Sequence, residues 1–160
     1  MRFSIGVGGF GKYSAKVGPQ SFVIQRNMLS MVTFSATWRW SWPDGTRMSL
    51  RYDCGRATPW MVVAADDVVC RGVESKLRWE WECGELCLLH KEAYRKMRRW
   101  RDVVRLKRRQ ALMLEDGSGV AAWQGTSSGV FDGVIRRCVP DSIARAVFGI
   151  IVAIYVPDTD

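Results

Sequence analysis

Between Val32 and Trp42 apolar and polar residues alternate without a break, and this period of two constrains the fold more than any other feature of the chain. Val32, Phe34, Ala36, Trp38, Trp40 and Trp42 share one face, while Thr33, Ser35, Thr37, Arg39 and Ser41 share the other. Such alternation marks a strand half-buried in a sheet. Pro43, Asp44 and Gly45 follow, supplying a preset φ, a side chain tolerant of turns and a residue free to take positive φ, which together predict a tight hairpin. The return strand is Thr46 to Cys54, where Met48, Leu50, Tyr52 and Cys54 alternate with Arg47, Ser49, Arg51 and Asp53. Leu77 to Cys83 repeats the pattern, Trp60 to Arg71 reads as one long strand or two short ones folded at Asp66-Asp67, and Val130 to Val139 offers a further strand.

These segments predict an antiparallel sheet of four to six strands with one apolar face, which must be covered. The segment from about Glu85 to about Leu114 can cover it. On a helix Leu86, Ala93, Met97, Trp100, Val104 and Ala111 fall within about 40° of one line, and Lys91, Arg95, Arg98, Arg105 and Arg109 fall opposite. The expected fold is therefore α+β, a sheet packed against one long basic amphipathic helix. Residues 1–30 hold no acid, several glycines and no clear periodicity, and are expected to form a flexible or loosely packed arm ahead of a single domain at 31–156. Asp141 or Ser142 can cap a short helix, and the apolar run from Ala146 to Val156 fits a buried final strand or helix.

The chain carries 24 basic and 16 acidic side chains, and the surplus is local. Between Lys91 and Arg109 stand ten basic residues against two acidic ones, and the remainder balances at fourteen of each. Acids are not interspersed at helical spacing, so the like charges repel one another, and an anionic partner would relieve that repulsion. Arginine pairs with phosphate in a bidentate fork, where lysine acts as a point charge. Lys91, Arg95, Arg98, Arg99, Arg101, Arg105, Arg108 and Arg109 are therefore the candidate nucleic-acid contacts. No helix-turn-helix, basic zipper, RNP pattern or GxxG loop is present, so the expected mode is phosphate-directed, with RNA, including double-stranded RNA, ahead of DNA. A small binder of this kind can act by sequestering its ligand. The alternative is a protein-interaction domain whose basic face meets an acidic partner, and homo-oligomerisation stays open.

Five cysteines form an odd set, which argues against a disulfide framework and for free or metal-bound thiols in an intracellular setting, cytoplasmic or nuclear. Cys83, Cys87 and His90 recur at helical spacing, and Cys70 or Cys54 can complete a tetrahedron, so zinc is the one cofactor the residues allow, though none is required. The tryptophans at 38, 40, 42, 79 and 81 alternate with polar residues and belong to the core, leaving Trp60 and Trp123 as the candidates for exposed aromatics. Gly6 to Lys12 fits G-x-x-x-x-G-K, but Tyr13 stands where a phosphate-binding loop needs Ser or Thr, and Gly18-Pro19 stops the required helix. With a lone His90 and no nucleophile elbow, the chain is read as non-enzymatic. The longest apolar run covers eleven residues, too short for a helical membrane span of about 20 residues.

Overall fold

The computed structural model describes residues 1–9, 11–27, 35–75, 78–93, 109–125, 130–137 and 139–155. Its strands are β1 (Arg2–Val7), β2 (Lys12–Val17), β3 (Gln20–Arg26), β4 (Ser35–Ser41), β5 (Arg47–Asp53) and β6 (Trp60–Ala64) in the first half. The second half holds β7 (Asp67–Ser75), β8 (Arg78–Cys83), β9 (Leu86–Ala93), β10 (Arg109–Leu114), β11 (Gly119–Gly125) and β12 (Val130–Ile135), followed by helix α1 (Asp141–Tyr155). Each strand pairs antiparallel with its sequence neighbours, and β1 pairs with β12, so the sheet closes into a twelve-stranded barrel.

The expected α+β sheet of four to six strands is thus replaced by an all-β barrel, and the long basic helix is not its cover. Leu86 and Ala93 of the supposed apolar stripe lie in β9 and Ala111 lies in β10, whereas Met97, Trp100 and Val104 fall outside the described residues. The cause is the two-residue turn Gly84-Glu85. Gly84 takes φ 61°, a conformation an L side chain rarely adopts, and this turns the chain back so that β9 pairs along β8 from Cys83↔Leu86 to Glu80↔Leu89. Residues 2–26, read as part of an arm, form β1 to β3, and Phe3, Ile5, Tyr13, Ala15, Val17 and Ile24 are core residues.

A barrel of eight strands has a lumen just wide enough for side chains, and twelve strands leave a wider one. Helix α1 fills it. Every residue from Ala146 to Tyr155 is buried, which explains why this run has no amphipathic period: apolar wall surrounds it on all sides. Phe148 sits at the centre, with ring centroids at 6.0 Å from Phe3, 5.7 Å from Phe22, 6.1 Å from Trp40 and 5.6 Å from Trp42. The one charged side chain beyond the first turn, Arg145, reaches the rim. There it pairs with Asp44 at 2.6 Å, donates to Thr46 Oγ1 at 3.1 Å and lies 5.1 Å from the Trp42 ring. Hydrogen bonding from Arg145, then from the Thr46 backbone, pulls the Asp44 carboxyl down to about 2.

The tryptophans line the lumen. Trp38, Trp40, Trp42 and Trp81 are buried, and so are Trp60 and Trp123, the two expected to be exposed. The indole N–H groups of Trp38, Trp40, Trp81 and Trp123 are buried without an acceptor among the described residues. Leaving such a donor unpaired costs about 1–3 kcal/mol, whereas burying 150–250 Å² of ring at about 25 cal/mol per Å² returns roughly 4–6 kcal/mol, so burial wins.

Outward positions on several strands are polar: Lys12, Ser14 and Lys16 on β2, Arg39 and Ser41 on β4, Glu80 and Glu82 on β8 are all exposed, as are the apolar Val23 on β3 and Val134 on β12. No helix among the described residues is long and apolar enough to cross a membrane.

Strand alternation sorts the connections by end. At the end where α1 enters, the links are tight turns at residues 18–19, 43–45, 65–66, 84–85 and 115–118. The strand ends that flank residues 27–34, 54–59 and 94–108 all lie at the opposite end, where α1 finishes and Tyr155 meets Tyr13 and Phe131.

Candidate anion-binding surfaces

The sequence-predicted basic cluster maps onto one connection. Lys91 belongs to β9 and Arg109 to β10, while Arg95, Arg98, Arg99, Arg101, Arg105 and Arg108 lie outside the described residues. The flanking geometry is defined: Ala93 pairs directly with Arg109, so the chain leaves and re-enters the barrel at adjacent positions on one rim. Between them, residues 94–108 carry eight basic side chains against the single acid Asp102.

The proposed metal ligands do not converge. Cys70 and Cys83, on adjacent strands β7 and β8 with Cα atoms 4.3 Å apart, are joined as a disulfide, which removes both as thiolate donors and corrects the expectation of free or metal-bound thiols. Residues three apart share a helical face but take opposite faces of a strand. Accordingly Leu88 and His90 point into the lumen, where His90 stacks on Trp123 with centroids 5.8 Å apart, and Cys87 points out. The half-buried Cys87 thiol is pushed up, first by burial and then by Glu115, Glu80 and Glu82, which opposes thiolate formation. Among the described residues no group of three or more His, Cys, Asp or Glu side chains is placed to hold a metal ion. Cys54 is exposed and free.

A second basic surface escaped the sequence reading. The fourteen-to-fourteen balance outside residues 91–109 conceals an asymmetry, because residues 1–65 hold eight basic side chains against two acids, Asp44 and Asp53. Both acids are engaged, Asp44 with Arg145 and Asp53 with Arg56 at 2.9 Å. On the outer wall the strand registers align Lys12, Gln25, Arg39, Ser49 and Val63 in one row across β2 to β6. Arg39 lies opposite Ser49, which places it diagonal to Arg47 and Arg51 on the neighbouring strand, about 7–8 Å away.

These three arginines line a cleft of 680 Å³ with Phe22, Val23, Gln25, Trp40, Ser41, Met48 and Asp66. The cleft exists because β3 and β4 pair only at Gln25↔Arg39 and Arg26↔Trp38 and then part, whereas β2 and β3 pair over six residues and β4 and β5 over seven. Ser49 and Val63 point outward by register yet are only 8% and 2% exposed, and they form its floor. No ion pair joins Arg39, Arg47 or Arg51 to any carboxylate among the described residues. Compared with protein-family models, with curated proteins and with solved structures, the chain matches none.

Proposed function

We propose that this protein binds nucleic acid, RNA ahead of DNA, through the basic β9–β10 connection, without catalysing a reaction. The observation that carries the reading is the charge of that connection together with its anchorage: eight basic residues and one acid in fifteen positions, tethered at both ends to paired strands. The barrel favours external binding, since α1 occupies the lumen and leaves the outer surface for ligands. Dense like charge is costly unless an anion approaches, and a polyphosphate backbone offers a row of them. Arginine outnumbers lysine six to two in the connection, which suits bidentate phosphate contact, and no base-reading motif accompanies it, so shape and phosphate spacing direct binding. Sequestration of the ligand is the simplest consequence of such binding.

The test is a titration of the full chain against single-stranded and duplex RNA and DNA at several salt concentrations. Contact with about five phosphates predicts a slope of log K against log salt near −4.5 for duplex DNA. A slope near zero, or no complex at all, would discard the reading and leave an acidic protein partner as the occupant of the same residues.

A further inference from the structure

We infer that the cleft between β3 and β4 is a separate site for a phosphorylated small molecule of nucleotide size, its phosphate held by Arg39, Arg47 and Arg51 and its ring laid on Val23 over the gap that Phe22 closes from within. This goes beyond the nucleic-acid reading and does not depend on it. In the closed strand order β4 and β5 lie across the barrel from β9 and β10, the strands between which the basic connection is strung.

Five features define the occupant. Three guanidinium groups face one carboxylate, Asp66, in the cleft, an excess of two positive charges that matches a phosphate monoester dianion. Three like charges gathered on adjoining strands repel one another, and a shared anion would relieve that repulsion. Beyond Gln25↔Arg39 the ladder stops, so Val23 on β3 and Ser41 on β4 have no partner across the opening in that ladder, and backbone groups along these edges are available to a ligand. One lip of the cleft is apolar: Val23 is 55% exposed on the outer face, where a flat ring would cover it, and Phe22, which faces the lumen, closes the gap from within. Its volume falls within the span of about 300–1,000 Å³ usual for small-molecule sites.

Adenosine monophosphate, ribose 5-phosphate, inorganic phosphate and adenosine, each titrated by calorimetry into the full chain, separate the parts of this inference. Adenosine monophosphate should bind more tightly than inorganic phosphate or ribose 5-phosphate, and adenosine should bind weakest. Arg39→Gln, Arg47→Gln and Arg51→Gln should each weaken adenosine monophosphate roughly tenfold or more, the loss expected for one charge-assisted hydrogen bond. Arg2→Gln with Lys16→Gln, on the neighbouring wall, should leave its affinity unchanged, and the far-ultraviolet circular dichroism of all variants should match the parent. Absence of phosphate-dependent binding, native affinity in the triple arginine variant, or equal loss in the Arg2/Lys16 control overturns the site. Inorganic phosphate binding as tightly as adenosine monophosphate overturns the assignment of the ring. Neutralising the β9–β10 connection should abolish RNA binding without altering the adenosine monophosphate titration, so this site and nucleic-acid binding fail or stand separately.

Discussion

Truncating Phe148 to alanine tests whether α1 fills the barrel. The side chain has no solvent exposure and meets four aromatic rings, Phe3, Phe22, Trp40 and Trp42, contributed by three separate strands and one turn. Burying phenylalanine and then deleting it leaves a cavity that a closed wall cannot collapse around, and such deletions cost about 3–5 kcal/mol. Each lost edge-to-face pair adds about 0.5–1.5 kcal/mol beyond area, which argues for the upper end of that span. A chain of this length is typically stable by about 8–24 kcal/mol, so the variant should still fold. Urea denaturation followed by circular dichroism should show a lowered midpoint with the m-value unchanged, and the melting temperature should fall by roughly 6–20 °C. A loss within about 0.5 kcal/mol, the size of an ordinary surface substitution, would mean that Phe148 is not enclosed and that the helix lies elsewhere.

Three further outcomes follow from the same packing. Gly149→Ala should destabilise the protein although alanine is the better helix former by about 1 kcal/mol, because a Cβ there would lie 2.7 Å from Val62 Cγ1, an overpacking that costs about 1–3 kcal/mol; greater stability in the same denaturation assay would refute the contact. Thiol titration in denaturant without reductant should find three reactive cysteines of the five, and five after reduction, while Cys70→Ser with Cys83→Ser should lose about 3 kcal/mol for opening a loop of this separation. Burial pushes the Tyr155 phenol up to about 12, so the folded form holds its proton longer than the unfolded form does. That contribution to stability is complete below pH 10 and is lost as pH rises towards 12, and spectrophotometric titration should show one of the four tyrosines ionising near unfolding.

Much of the wall was legible in advance. The alternation in β4 and β5 and the turn at Pro43-Asp44-Gly45 appear as read, and Trp60 to Arg71 resolves into two strands, the second of the two expected forms, with the bend at Ala65-Asp66. The same alternation was present in Phe3 and Ile5 and again in Tyr13, Ala15 and Val17, but these strands are short and the glycines between them form a turn, so composition masked periodicity. Residues 86–93 and 109–114 misled because their apolar positions satisfy both a period of two and one of 3.6. Gly84 at the first position of a two-residue turn was the signal that decides for a hairpin. The helix in the lumen carried no period because it has no wet face. Of the second basic surface, the diagonal arrangement of Arg39, Arg47 and Arg51 follows from the hairpin register alone. The parting of β3 from β4 that opens the cleft does not, because it depends on how the whole barrel closes.

The most direct test of the nucleic-acid reading uses the pairing of Ala93 with Arg109, which allows residues 94–108 to be replaced by a two-residue Asn-Gly turn without disturbing either strand. The account predicts that this variant melts at the temperature of the parent and retains its circular dichroism spectrum, yet shifts no RNA in a titration where the parent does. Parental affinity for RNA in the shortened protein would contradict it.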